Sequence, residues 1–213
     1  MEILKINDVS FSYGQKKVLD HVNYAFESGN IYAIAGRSGA GKTTLLSLIS
    51  GLAVPEEGAI LFHNEDIKTY DKYEYRGKKI GVIFQSFNLL SNLTAAENVV
   101  LSMDIAGVKE ADKKQKAKEL LATVGLDEDE ANRRVLKLSG GQQQRVAVAR
   151  ALASDAEVIL ADEPTGNLDE ETQEEILRIF RQLADAGKCV IVITHSKRVT
   201  AVADEVYLLK AVK

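Results

Sequence analysis

The stretch Ile31-Tyr32-Ala33-Ile34-Ala35-Gly36-Arg37-Ser38-Gly39-Ala40-Gly41-Lys42-Thr43 decides the fold of this chain. Five apolar residues read as a short buried strand, the glycines at 36, 39 and 41 as a turn, and the residues from about Lys42 to Ser50 as a helix. A buried strand that runs through G-x-x-x-x-G-K-[ST] into a helix is a phosphate-binding loop. The glycines let the backbone wrap closely, so successive N–H groups point inward at polyphosphate oxygens, and the helix start adds the positive end of its dipole. Lys42 can reach the β- and γ-phosphates, and the Thr43 hydroxyl can ligate Mg²⁺. The chemistry is that of a nucleoside-triphosphate site.

Outward from this loop the pattern changes in both directions. The first 27 residues alternate apolar and polar side chains, as in Ile3-Leu4-Lys5-Ile6 and Val22-Asn23-Tyr24-Ala25-Phe26, which predicts antiparallel strands with one wet face. Downstream, Val158-Ile159-Leu160-Ala161 and Cys189 to Thr194 are continuous apolar runs of strand length. Between them, Ile176, Leu177, Ile179, Phe180 and Leu183 recur at helical spacing over Glu170 to Ala186. Buried strands joined by helical crossovers mean a mostly parallel sheet covered on both faces, an α/β fold. The middle reads as helical from Thr94 to about Ala131, opened by the capping box Thr94-Ala95-Ala96-Glu97 and carrying Ala117, Leu120, Leu121 and Val124 as one apolar stripe. Lys109, Lys113, Lys114, Lys116 and Lys118 crowd this segment, as a solvated helix face or as a lipid or partner contact. The expected organisation is one domain: a nucleotide-binding core of about 1–86 and 157–213, with an inserted helical sub-domain of about 87–156.

Composition sets the class limits. Of 213 residues, 46% are apolar and 27% charged, which excludes intrinsic disorder and a small cross-linked scaffold. With 27 basic and 31 acidic residues the net charge is −4, so no broad nucleic-acid-binding face is expected. No apolar run approaches the roughly 18 residues of a membrane span, and Met1 to Ser10 does not read as a secretion signal. The single cysteine, Cys189, opens a buried strand and fits a reducing compartment. A cytoplasmic protein is expected, with any membrane role exercised through a partner.

Two further stretches carry chemistry. Val158 to Ala161 runs into Asp162 and Glu163, which places two carboxylates at the carboxyl end of a buried strand, where ligands of open α/β sheets sit. Asp162 suits the Mg²⁺ shell, and Glu163 suits polarising an attacking water. In Leu138-Ser139-Gly140-Gly141-Gln142, Ser139 and Gln142 form a capping box that opens a helix over Gln142 to Leu152. A cap does not need two adjacent glycines, which again leave N–H groups free to meet an anion. This pentapeptide resembles the LSGGQ signature of the ATP-binding cassette (ABC) ATPases, and the resemblance covers essentially the whole chain in the family's order and spacing. It implies a P-loop NTPase core with an N-terminal antiparallel β subdomain and an inserted helical subdomain.

The resemblance implies further roles, residue by residue. Gly36, Arg37, Ser38, Gly39, Ala40, Gly41, Lys42, Thr43 and Thr44 would hold the ATP phosphates, and Tyr13 would stack on adenine. Gln85 would touch Mg²⁺, as would Thr43 and Asp162, and would link the core to the helical part. Glu163 would act as the base, His195 would contact the γ-phosphate, and Asp169 of Asn167-Leu168-Asp169 would cross to a second subunit. Taken alone, Asp169 reads equally well as a helix cap. The resemblance also implies a homodimer closed head to tail by two ATP molecules, in which Ser139, Gly140, Gly141 and Gln142 of one subunit cover the nucleotide held by the other. Leu160 to Asp169 and Phe84 to Leu90 look like the branch serving lipoprotein release, macrolide export and FtsE-type cell division. That branch implies an integral membrane partner with few spans. The apolar group Phe87, Leu89 and Leu90 is the expected docking point of this membrane permease subunit, or else fills the helical core. A solute importer, a soluble ABC ATPase and a P-loop kinase are the alternatives; the kinase would have no use for LSGGQ.

Overall fold

The computed structural model describes residues 1–212 and contains two sheets. Strands β1 (Glu2–Tyr13) and β2 (Lys16–Glu27) form the long hairpin that the alternation predicts, and β4 (Glu57–Phe62) and β5 (Glu65–Asp66) extend it in the order β2-β1-β4-β5. The second sheet has the order β6-β7-β8-β3-β9, from β3 (Ile31–Ala35), β6 (Ile80–Ile83), β7 (Val158–Asp162), β8 (Cys189–Thr194) and β9 (Glu205–Leu208). Each of its neighbouring pairs is parallel. Helix α1 (Lys42–Ile49) follows β3, and the short α2 (Lys72–Glu74) precedes β6. Helices α3 (Ala95–Ile105), α4 (Lys113–Thr123), α5 (Glu128–Ala131) and α6 (Gly140–Ala151) fill the stretch between β6 and β7. Finally, α7 (Glu170–Asp185) joins β7 to β8, and α8 (Lys197–Val202) joins β8 to β9.

Strand periodicity divides the interior into two cores. On β7 and β8, Val158, Leu160, Cys189, Ile191 and Ile193 point into one core, which α1 and the antiparallel sheet complete. Ile159, Ala161, Val190 and Val192 point to the opposite face, against α6, α7 and the helices that precede them. Both faces are covered, and this explains why these strands read as unbroken apolar runs.

The middle segment differs from the single helical stretch expected over 94–131. The Thr94–Glu97 capping box does open α3, but Gly107 (φ 67°) and Gly125 (φ 77°) turn the chain after α3 and α4, and Asp112 and Asp127 cap the next starts. Of the apolar stripe, Ala117, Leu121 and Val124 are buried and Leu120 packs beside them. The lysine side of α4 is tied by ion pairs, Lys113 to Asp104 and Lys118 to Glu128, each at 2.6 Å. α6 begins two residues earlier than expected, at Gly140, with Ser139 as its cap.

Cys189 is fully buried in β8, and burial raises its thiol to about 12. In the folded protein at pH 8 the thiol therefore stays protonated and shielded. We expect Ellman's reagent to label it only at the rate of global unfolding, with urea accelerating labelling along the same transition that far-UV dichroism follows. Rapid labelling without denaturant would contradict this placement.

Candidate functional site

Parallel register brings the chemistry to one edge. Ala35 pairs with Thr194, Ile193 with Asp162, and Ala161 with Ile83, so β3, β8, β7 and β6 end side by side. The next residues of those four strands are Gly36, His195, Glu163 and Phe84-Gln85. A cleft of about 420 Å³ opens there, lined by Tyr13, Ser38, Gly39, Gly41, Lys42, Thr43, Thr44, Gln85, Asp162 and Glu163. Val212 adds to its wall, as do Lys16, Lys17 and Val18. Sequence reading missed these four, although two lysines directly after the Tyr13-Gly14 turn are a legible signal for an anion.

The loop itself is built by close approach. Gly41 (φ 92°) lies where a Cβ would stand 2.9 Å from both Leu19 Cδ2 and Val18 Cγ1, so both the backbone conformation and the space favour glycine. Gly36 would meet the Leu209 carbonyl at 2.7 Å. Gly36, Arg37 and Ala40 do not line the cleft: Gly36 packs against the residues after β9, Ala40 is buried beneath, and the Arg37 side chain is exposed. The Lys42 ammonium donates to the Gly36 carbonyl at 2.8 Å and the Arg37 carbonyl at 3.3 Å. It is thereby held over the loop where phosphate oxygens would compete for it.

The carboxylates occupy distinct settings. Thr43 Oγ1 donates to Asp162 Oδ2 at 3.5 Å. Burial raises the Asp162 carboxyl above its usual range and the Glu163 charge adds to this, while Thr43 and Lys42 pull it down. Glu163 sits in the left-handed region, at φ 45°, with its N–H on the Ile193 carbonyl at 2.9 Å. Its carboxylate faces the His195 ring, with Oε1 2.7 Å from Nδ1, and Oε2 accepts from Thr194 Oγ1 at 3.2 Å and from the His195 N–H at 3.3 Å. His195 is largely exposed whereas Glu163 is sheltered. Thr43, Asp162 and Gln85 bring hard oxygen donors to one spot, a set that suits Mg²⁺. Tyr13 stands exposed at the rim, edge-on to Phe11.

The signature residues lie apart from this cleft, at the start of α6. Ser139 Oγ accepts from the Gln142 N–H at 3.2 Å, and Gln142 Oε1 accepts from the Ser139 N–H at 2.8 Å, completing the expected capping box. The two glycines have different reasons. Nothing lies within 4 Å of a Cβ on Gly140, whereas one on Gly141 would meet Thr172 Cγ2 at 2.5 Å. Thr172 belongs to the start of α7, whose cap is Asp169: its carboxylate accepts from the Thr172 N–H at 2.9 Å and the Thr172 hydroxyl at 3.0 Å. Phe87 and Leu89, expected to be exposed, are half-buried against the helical core. Arg150 fixes this loop by donating to the carbonyls of Phe87, at 2.8 Å, and Asn88. Only Leu90 stays open, on a groove of about 500 Å³ that Leu101 and Ile105 also line.

Known proteins resemble the chain over nearly its whole length. The sequence profile of the ABC transporter family matches residues 19–166. YclH, an ABC transporter ATP-binding protein of Bacillus subtilis strain 168, is 43% identical over 207 residues, which cover 96% of this chain and 92% of that protein. The macrolide export ATP-binding/permease protein MacB of Mannheimia succiniciproducens is 41% identical over 217 residues, 99% of this chain but 34% of MacB. Among solved structures, the dimeric post-hydrolysis state of the ATP-binding cassette MJ0796 bound to ADP and Pi superposes with a TM-score of 0.87 at 37% identity, covering 98% of this chain and 94% of that one. CbiO1 of Clostridium perfringens, part of the cbiONQ transporter complex, gives 0.87 at 28%, covering 98% and 85%.

The two glycines of the α6 start separate in their tolerance. G140A is expected to be neutral within about 1 kcal/mol. G141A is expected to lose about 1–3 kcal/mol in urea unfolding, because the new methyl overlaps Thr172. Removing that neighbour's methyl in G141A/T172S should restore part of the loss. Equal effects at 140 and 141 would contradict the close approach.

Proposed function

The chain belongs to the ABC transporter family as an ATP-binding ATPase member, and on that premise we propose that it is the motor of a membrane complex that exports or extracts its substrate. ATP would bind with its triphosphate in the loop of Gly36 to Thr44 and its adenine on Tyr13. The observation that carries this reading is the convergence of Lys42, Thr43, Asp162, Glu163 and Gln85 on one cleft at the carboxyl ends of the four neighbouring strands β3, β8, β7 and β6.

Each residue then has a physical task. The loop N–H groups and Lys42, released from the carbonyls of Gly36 and Arg37, stabilise charge on the transferred phosphoryl group. Thr43, Asp162 and Gln85 would hold Mg²⁺, which would supply charge neutralisation on the phosphates. Glu163 accepts hydrogen bonds from Thr194 and the His195 N–H and faces the His195 ring, which orients it to align a water for attack; His195 reaches for the γ-phosphate. Ser139, Gly140, Gly141 and Gln142 lie outside their own chain's cleft, which supports their use on the nucleotide of a second copy. The dimeric, nucleotide-bound MJ0796 structure supports a dimer. ATP closes two copies head to tail, and hydrolysis releases them.

The helices of about 87–156 form the arm that turns toward the partner copy, with Gln85 at its root. The partner is an integral membrane subunit whose segment docks in the groove edged by Leu90, Leu101 and Ile105, which places the motor on the cytoplasmic face of the membrane. Likeness to MacB, a macrolide export protein that joins an ATP-binding part and a permease in one chain, supports export with a membrane partner. Import of a solute is the second reading.

E163Q should bind ATP and dimerise while losing at least about 100-fold in turnover, the usual contribution of a general base. K42A should lose tight nucleotide binding. Normal turnover in E163Q would remove Glu163 from the role of base. Tagged E163Q loaded with ATP should capture from detergent-solubilised membranes a few-span protein with a large outer domain, and I105E should abolish that capture while leaving ATP affinity intact. Recovery of a many-span permease would favour import, and recovery of soluble proteins alone would overturn the membrane role.

A further inference from the structure

Two helix starts of this chain are built alike and packed together. In Leu138-Ser139 and in Leu168-Asp169, the second residue caps the helix that follows. In each, a glutamine four residues beyond the cap, Gln143 or Gln173, donates its amide to the carbonyl before the cap, at 3.0 and 2.9 Å. Such reciprocal capping makes each start a stiff unit.

The units touch at two points. Thr172 Cγ2 fills the space that glycine leaves at 141, and one turn further along each helix Arg145 Nη1 is paired with Glu175 Oε2. The Arg145 side chain is mostly buried. Thr172 is also the residue whose N–H and hydroxyl fix Asp169. From Asp169 the chain leads back to Glu163 through hydrogen-bonded turns, Leu168 N–H to the Thr165 carbonyl and Gly166 N–H to the Glu163 carbonyl. Beside the ion pair, the amide of fully buried Gln144 and Arg145 Nε have no hydrogen-bond partner among the described residues.

We infer that Arg145, Glu175 and Thr172 are positioning residues that clamp the signature helix α6 to the start of α7, so that each subunit relays closure on its partner's nucleotide to its own Glu163. This rests on the dimeric reading above. In a head-to-tail dimer, the α6 start of one copy meets the nucleotide held by the other. Movement of that start pulls on Thr172 and Glu175, and through Asp169 and the following turns shifts the base of the same chain. The two hydrolysis sites are then linked through protein as well as through the interface itself. None of the three side chains lines the cleft, so loosening them disturbs the linkage and leaves nucleotide binding to the single chain unchanged.

The test compares steady-state ATP hydrolysis of the unsubstituted protein, E175Q and the reversed pair R145E/E175R across ATP concentration, together with the ADP affinity of each monomer. Glu175 is the more exposed partner, and E175Q keeps its size, so folding is spared. We expect E175Q to lose about 10-fold in kcat and its sigmoidal dependence on ATP, with ADP affinity within about twofold. The reversed pair should regain at least about half of the lost kcat and the sigmoidal form, which a generally damaged fold would not. Unchanged kcat and cooperativity in E175Q would overturn the clamp. So would a parallel loss of ADP affinity, or a reversed pair no faster than E175Q while binding ADP normally. If the unsubstituted protein neither hydrolyses ATP nor dimerises, the proposed function falls and the clamp with it, a result distinguishable from all the others.

Discussion

The parallel ladder of β3, β8 and β7 is the constraint on which everything else in this structure depends. Parallel strands start and end together, so a register that pairs Ala35 with Thr194 and Ile193 with Asp162 delivers a glycine loop, a histidine and two acids to one edge. Strand β8 lies between the loop strand and the acidic strand, which sets Asp162 and Glu163 across from the loop rather than beside it. A slip of one residue would send every inward side chain of β7 to the other core and carry the acids away from Thr43. The two cores thus fix the register that the site needs, and the site has no independent scaffold.

That arrangement concentrates electrostatic cost at one place. Asp162 is partly buried beside another carboxylate, and Lys42 is held on backbone carbonyls instead of on an anion. Glu163 adds a left-handed backbone to this, a state that costs a non-glycine residue about 1–3 kcal/mol and persists only where its surroundings over-determine it. Here they do: the Ile193 carbonyl holds its N–H, and Thr194 and His195 hold its carboxylate. A triphosphate with a divalent cation would relieve most of these strains together, with counter-charge for the lysine and ligand bonds for the acids. Nucleotide binding is thereby coupled to relief of this cost, which is the condition for binding energy to drive closure.

Much of this was legible in the sequence because the signals were local. The loop lies between a strand and a helix whose apolar patterns are unmistakable, and the caps at Thr94 and Ser139 are written within four residues. What could not be read depended on contacts between distant positions. Phe87 and Leu89 look like a free apolar group until Arg150, about sixty residues later, ties down the carbonyls of Phe87 and Asn88 in the same loop. The helical stretch over 94–131 breaks at Gly107 and Gly125, both visible as glycines but weak as stops inside a strong apolar period. Lys16 and Lys17 stand in the sequence as a small basic pair, but their place on the cleft depends on the long β1–β2 hairpin packing against the loop.

Gly141 shows most clearly why a motif can be recognised without being explained. The pair Gly140-Gly141 invites a single account, bare N–H groups aimed at an anion, and for Gly140 the open surroundings agree with it. Gly141 answers to a second demand from within its own chain, the methyl of Thr172. That demand joins two segments thirty residues apart in sequence, one read as facing the partner's nucleotide and one leading back to this chain's own base. A side chain at 141 would separate the α6 and α7 starts before it ever reached a ligand. The glycine is therefore doubly constrained, by what it presents outward and by what it allows to approach from behind.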